Sequence, residues 1–382
     1  MNDSLSNGDI TQALFDLRRE IDNIDDKVVS LLADRQQVVS RVAVLKKAHN
    51  LPVYHPAREE DLISRLRQQA RYAGLNPDCI EEVYRTIIHR SRIEQTSQLA
   101  LKGIRPGGVV LIVGGRGGMG GFFRNCFHRA GYEVRILGSG DWPNAASLCA
   151  HADMVMISVP IDIACRVIRD ISPFLPPETV LCDITSIKTQ PLAAMLAAYA
   201  GPVVGLHPLF GPSTSSLDKQ VIVATPGRDE HACQWILDQF TAWGGIIVSS
   251  DAKEHDDIMA IVQALRHFAT FAFGQFLNRQ RISLARTLEF SSPIYRLELG
   301  MVGRLFAQDS SLYSEIIFAS PERRKLLQDF LASLNENRDM LERGDKELFQ
   351  EEFRKIAEWF GPFSEQAMRE STFLIEKLTE RF

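Results

Sequence analysis

His207, in the stretch GLHPLFGP (205–212), lies on a turn between two glycine-containing segments, where core filling explains it poorly. An imidazole titrates near neutrality and can take a proton while hydride leaves a neighbouring carbon. A second stretch, DITSIK (183–188), brings Ser186 and Lys188. Ahead of both, Gly115-Arg116-Gly117-Gly118-Met119-Gly120 fits the pattern G-x-G-x-x-G. Such glycines permit a tight turn and let a pyrophosphate approach a helix N-terminus, whose free N–H groups favour anions. A further set is cationic: Arg18, Arg35 and Lys46 lie along one helical stretch.

Elements must position these groups. Residues 9 to about 100 contain almost no glycine, and apolar positions in LFDLRREIDNIDDKVVSLLADRQQVVSRVAVLKKA recur every three or four residues, as in one unusually long helix. NLPVYHP ends it, because proline cannot continue a helix. Two further helices are expected at about 57–72 and 78–98, separated by GLNP. So long a helix cannot bury its stripe within so small a unit, which favours pairing with a second copy of the chain. Between about 104 and 258 the runs VVLIV, YEVRIL, MVMISV, TVLCDI, VVGL, QVIVAT and GIIV alternate with helical stretches. That pattern predicts βαβ units and a mainly parallel sheet. After about 259 strands vanish, and LRHFATFAFGQFL and EEFRKIAEWFGPFSEQAMRESTFLIEKL read as helices. The expected domains are all-helical at 1–100, α/β and Rossmann-like at 101–258, and all-helical again at 259–382.

The bulk numbers narrow the class. A chain of 382 residues exceeds the usual size of one hydrophobic core. Its 45% hydrophobic and 24% charged residues are ordinary for a soluble protein, and the net charge of −5 gives no pull toward nucleic acid. No apolar stretch approaches the roughly 18–20 residues that a membrane span needs. The polar, acidic start MNDSLSNGDITQALFDL lacks the form of a signal peptide. The six cysteines form no C-x-x-C pair, so no metal site is expected, and a reducing, cytoplasmic setting is.

The glycine loop has a strand before it and a helix after it, the context that dinucleotide binding requires. Gly115, Arg116, Gly117, Met119 and Gly120 are its candidate cofactor residues. The acid that usually holds the adenosine ribose should end the second strand, yet Gly138 stands there, followed by Ser139, Gly140 and Asp141. Asp141 is the candidate substitute. NADP normally calls for an arginine nearby; none follows the strand directly, and Arg116 is the nearest cation. NAD is the expected cofactor, with NADP left open.

GGRGGMG, SVPI (158–161), DITSIK, GLHPLFGP, EHD (254–256), IVQALRHFATF (261–271) and SSPIYRLELGMVGRLFAQD (291–309) closely resemble the prephenate dehydrogenases, in order and over most of 109–318. The N-terminal helices resemble the all-helical class of chorismate mutase. The whole chain thus resembles the bifunctional chorismate mutase–prephenate dehydrogenase family. The resemblance implies an N-terminal mutase domain, a Rossmann-like NAD-binding domain, and a helical domain for substrate binding and dimerisation. It implies that chorismate is rearranged to prephenate, which is then oxidatively decarboxylated to 4-hydroxyphenylpyruvate. His207 would accept the hydroxyl proton, with Ser186 beside it. Arg304 would clamp a substrate carboxylate, as a planar guanidinium suits, with Arg296 supporting. His255 and Lys188 would contact substrate. A tyrosine-like feedback ligand is a further implied partner.

The mutase reaction is pericyclic and needs only positioning and electrostatic stabilisation. Arg35 and Lys46 lie roughly three turns apart and roughly 20° out of phase, so they share a face with room for a small substrate between them. Arg18 is roughly 100° out of phase with Arg35 and is better placed to reach a neighbouring subunit's site. The resemblance adds Arg58 and Glu59 on the second helix, and Ser91 and Gln95, one turn apart, on the third. Gln95 and Lys46 would hydrogen-bond the breaking ether oxygen. His55 departs from the acid found there in related mutases and is not assigned.

Two alternatives accompany this reading. The substrate could be arogenate, with an amine in place of the keto group. Or one domain could be catalytically silent and sense an aromatic ligand, although a sensor would not need His207, Lys46 or Gln95.

Overall fold

The computed structural model describes residues 7–48, 56–98, 101 and 103–379. The chain separates into two units. One comprises the N-terminal helices through Pro106 with two short later segments, Cys126–Tyr132 and Ser213–Asp218; the other holds the remainder.

In the first unit, α1 (Asn7–Ala48) is a single helix of 42 residues, as the apolar periodicity predicts. Helices α2 (Pro56–Tyr72) and α3 (Pro77–Gln98) follow and begin one residue earlier than expected. Each opens on a proline, whose missing N–H costs nothing in a first turn. Asn76 caps α3, its Oδ1 accepting from the Asp78 N–H at 2.8 Å. Gly74, at φ +71°, supplies the left-handed turn that reverses the chain between α2 and α3. Ion pairs join these two helices: Arg67 with Asp78 at 2.7 Å and with Glu81, and Arg85 with Glu60 at 3.2 Å. The apolar centre is small, comprising Ala43, Ile63, Leu66, Ala70 and Ile88. Much of the apolar stripe of α1 is consequently exposed, including Leu17, Ile21, Ile24, Val28 and Leu31.

The second unit is built on a seven-stranded sheet: β1 (Val109–Val113), β2 (Glu133–Leu137), β3 (Met154–Ile157), β4 (Val180–Asp183), β5 (Val203–Pro208), β6 (Val221–Arg228) and β7 (Ile246–Ser249). All seven expected strands are present. The order is β2-β1-β3-β4-β5-β6-β7, parallel except for the antiparallel β5–β6 pair. β1 is flanked by β2 and β3, so the direction of winding reverses there and opens a crevice at the strand ends. Helices α4 (Gly118–Arg129), α5 (Ala145–Cys149), α6 (Ile161–Ile171), α7 (Thr189–Ala198) and α8 (Glu230–Ala242) connect the strands. The sheet's β-branched runs are buried on both faces, as such crossovers require: β1, β3 and β4 are closed except at Val109.

Strands end at Ser249, and the rest is helical: α9 (Ala252–Met259), a π-helical segment (Ala260–Leu265), α10 (Arg266–Arg279), α11 (Leu284–Glu289), α12 (Pro293–Phe306), α13 (Ser310–Phe318), α14 (Pro321–Arg343), α15 (Lys346–Phe360) and α16 (Pro362–Thr379). The final apolar stretch, expected as helix, is broken at Gly361, whose φ of +51° ends α15 before Pro362 starts α16. Among the described residues no helix is long and apolar enough to cross a membrane.

Candidate active sites

The glycine loop sits at the carboxyl end of β1. Gly114, just before the G-x-G-x-x-G motif, carries the positive φ of +85°, and a Cβ there would collide with the Ser158 carbonyl oxygen. A Cβ on Gly120 would stand 2.9 Å from Gly115 Cα and 3.0 Å from Ser158 Oγ, so α4 must start on a glycine-packed turn. Gly117, by contrast, meets only the Gly114 carbonyl at 3.4 Å and leaves its outer side open. That is a cradle fitted to a pyrophosphate at a helix N-terminus, with Gly115, Gly117 and Gly120 shaping it and Met119 half-buried behind.

The end of β2 resolves the missing acid. Asp141 folds back so that its Oδ2 accepts from the Gly138 N–H at 2.8 Å and pairs with Arg116 Nη1 at 3.0 Å. The Gly138 N–H, and after it the Arg116 guanidinium, hold the Asp141 carboxyl below its ordinary value. A Cβ on Gly138 would meet the end of the Arg116 side chain, so the guanidinium packs directly over this glycine. A carboxylate therefore does stand at the strand end, delivered by the loop.

His207 lies on β5, opposite Val223 of β6, and is buried. It is one member of a chain of hydrogen bonds. His207 Nδ1 is 2.8 Å from His255 Nε2, and His255 Nδ1 is 2.9 Å from Asp256 Oδ1. Asp256 also accepts the backbone N–H of Lys188 at 2.8 Å and of Thr189 at 2.9 Å, which ties α9 to the start of α7. Burial alone would raise the Asp256 carboxyl, but the bonds from His255, Thr189 and Lys188 outweigh it and hold it well below the carboxylate range. Burial, then the neighbouring His255, Lys188 and Arg323, push the His207 imidazole well below its usual value, so it is neutral and able to accept a proton. On its other side, Gln263 Nε2 of the π-helical segment stands 3.3 Å from His207 Nε2.

Lys188 departs from the expected substrate contact. Its ammonium is fully buried and is held by Asp183 and by the Leu206 carbonyl at 2.7 Å. It braces the backbone just before His207. Burial lowers its pKa, and the Asp183 charge opposes that shift. His255 likewise has no exposed face for substrate, because both ring nitrogens are engaged by His207 and Asp256. Arg296 closes the end of α11, donating to the Leu288 carbonyl at 2.6 Å. Arg304 is exposed on the last turn of α12, and Ser186 is half-buried on the turn after β4.

In the first unit the structure pairs Arg35 with Ser91 and sets Lys46 within the field of Glu59. Arg35 Nη1 donates to Ser91 Oγ at 2.8 Å, and Ser91 in turn donates to the Ile87 carbonyl at 2.8 Å, so a buried hydroxyl on α3 orients a cation on α1. Lys46 is half-buried; burial lowers its pKa and the Glu59 charge on α2 opposes this. Arg58 is exposed beside Glu59, and Arg18 is exposed on α1. The side chain of Gln95, and all of His55, lie outside the described residues.

Sequence reasoning missed Asp256, Gln263, Asp183 and Arg323. Asp256 stands inside the quoted EHD motif, and Gln263 inside IVQALRHFATF, but nothing in residue type distinguishes either from a solvated polar group. Arg323, buried on α14, donates to the Ile316 carbonyl at 2.9 Å and lies 3.8 Å from Asp256, an attraction too long for a hydrogen bond.

Known proteins match three successive regions of the chain. Residues 17–96 match chorismate mutase type II, residues 133–248 the prephenate dehydrogenase nucleotide-binding domain, and residues 251–355 the prephenate dehydrogenase dimerization domain. The T-protein of Haemophilus influenzae is 41% identical over 370 residues, covering 97% of this chain and 98% of that protein. The T-protein of Enterobacter agglomerans is 42% identical, covering 95% and 97%. The prephenate dehydrogenase of Aquifex aeolicus, solved with hydroxyphenyl propionate and NAD+, shares the fold at 20% identity and a TM-score of 0.55, over 66% of this chain and 97% of that one. With both sets of relatives matched in one chain, the protein belongs to the T-proteins, the bifunctional chorismate mutase–prephenate dehydrogenases of tyrosine biosynthesis.

Proposed function

We propose that the N-terminal unit rearranges chorismate to prephenate and that the sheet-bearing unit oxidatively decarboxylates prephenate to 4-hydroxyphenylpyruvate. The observation that carries the second step is the buried His207, hydrogen-bonded to His255 and through it to Asp256. NAD, held by the glycine cradle and by Asp141 at the ribose end, supplies the hydride acceptor when bound. His207 accepts the proton of the ring hydroxyl as the hydride departs from the same carbon, and Ser186 positions that hydroxyl. The ring carboxylate leaves as carbon dioxide, and its bonding pair completes the aromatic ring. Arg304 clamps a substrate carboxylate, its exposed guanidinium being available for one.

In the mutase site Arg35, held by Ser91, and Arg18 from a second copy of the chain bind the carboxylates. Lys46 and Gln95 stabilise the ether oxygen, with Arg58 and Glu59 framing the site. The exposed apolar stripe of α1 supports a homodimer in which that helix is shared. On this reading residues 1–100 are the mutase domain, 101–258 bind NAD, and 259–382 bind substrate and dimerise. Six free cysteines support a cytoplasmic setting. Tyrosine as a feedback ligand belongs to the same proposal. An absorbance assay with chorismate, prephenate or arogenate, each with NAD and then NADP, tests it. The reading requires chorismate loss without cofactor, and NADH formation from prephenate in preference to arogenate.

A further inference from the structure

We propose that Asp256 and His255 are positioning residues that fix the ring tautomer of His207, so that its Nε2 carries the lone pair offered to the substrate hydroxyl. The inference rests on the reading of His207 as the proton acceptor and goes beyond it, because it assigns the proton at each ring nitrogen.

Asp256 takes backbone N–H groups on both carboxylate oxygens and, as an anion, can only accept. His255 Nδ1, 2.9 Å from Oδ1, must therefore donate. A neutral imidazole has one N–H, so His255 Nε2 must accept. Its partner at 2.8 Å, His207 Nδ1, then donates, and His207 Nε2 is left bare. At the far end of the chain the Gln263 amide stands 3.3 Å from His207 Nε2, and with its nitrogen toward the ring it donates to a bare Nε2.

The opposite polarity fails on charge. If His207 Nε2 held the proton, Nδ1 would accept, and His255 would need protons on both nitrogens. That is a buried imidazolium facing two buried cations, Lys188 and Arg323, with Asp183 already committed to Lys188 and only Asp256 to balance it. The Gln263 amide therefore occupies the position that a substrate hydroxyl, also a donor, takes over. It sits in a π-helical segment, the kind of local irregularity that re-aims a side chain. When His207 gains the proton at Nε2, Nδ1–H stays on His255 and the new charge is stabilised through it by Asp256.

The test is long-range ¹H–¹⁵N NMR of the full chain labelled at histidine nitrogen, with His207 assigned by its absence in His207→Asn. The wild type should show His207 protonated at Nδ1 and bare at Nε2 near pH 7.5; protonation at Nε2 overturns the proposal. Asp256→Asn should populate the other His207 tautomer and lower kcat on prephenate roughly 10- to 100-fold with little change in KM. It should also move the acid limb of the pH–rate profile. A role confined to packing would change stability and leave the tautomer alone, which also overturns it. Should Asp256→Asn fail to fold, His255→Gln serves the same comparison, and the wild-type spectrum decides without any variant. If His207→Asn still oxidises prephenate, the reading of His207 fails whatever its tautomer. If that variant is inactive but the wild-type tautomer is reversed, the positioning proposal alone fails.

Discussion

Arg116 and Asp141 meet guanidinium to carboxylate, 3.0 Å apart, over a glycine that leaves them room. The loop thus supplies at the end of β2 the acid that the strand itself lacks. On the proposed reading, a carboxylate there would accept a hydrogen bond from a ribose hydroxyl and repel a 2′-phosphate, while it keeps Arg116 paired.

Asp141→Asn should accordingly free Arg116 for a phosphate. The ratio of kcat/KM for NAD to that for NADP should fall about tenfold or more, equivalent to about 1.4 kcal/mol. Steady-state kinetics with both cofactors checks this, and an unchanged ratio would remove Asp141 from the ribose end.

In the proposed mutase site Ser91 orients Arg35 through a hydrogen bond to a charged group, the kind worth roughly 1.5–3 kcal/mol. Ser91→Ala should lower mutase kcat/KM by about tenfold or more, read as the loss of chorismate absorbance. Lys46→Ala should remove that activity altogether.

Lys188 and Asp183 form a buried pair, and removing one partner leaves the other charge uncompensated. Lys188→Met should destabilise the fold by about 3–5 kcal/mol, measured as a lower urea midpoint. An activity loss with an unchanged midpoint would instead return Lys188 to substrate binding.

His267 packs edge-on against Tyr313 with centroids 4.7 Å apart, and burial, with Arg266 adding to it, pulls its pKa from the ordinary 6.5 to about 4. The folded state then refuses a proton that the unfolded chain binds. Stability should be fully present above pH 6.5 and fall as pH drops from there toward 4, by about 3 kcal/mol over that window from this residue. His207 has the same sign. Urea midpoints between pH 7 and 4.5 should show that fall, with a shallower slope in His267→Gln.

The glycine spacing, the seven strand runs and the long α1 were legible in the sequence because each is a local pattern of backbone demands. The burial of Lys188 was not legible because type and position do not show it: its neutralising partner, Asp183, ends the strand before it, and its other bond is to a carbonyl on the next strand. The chain from Asp256 to His207 joins α9 to β5, so only the fold brings those rings together. Gln263 depends on a π-helical turn, which has no repeat to read in one sequence.

The most direct test of two separate sites in one chain is the pair of activities of His207→Asn. NADH formation from prephenate should be lost, while chorismate loss continues at close to the wild-type rate. Retention of prephenate oxidation, or loss of both activities in a protein that remains folded, would contradict the account.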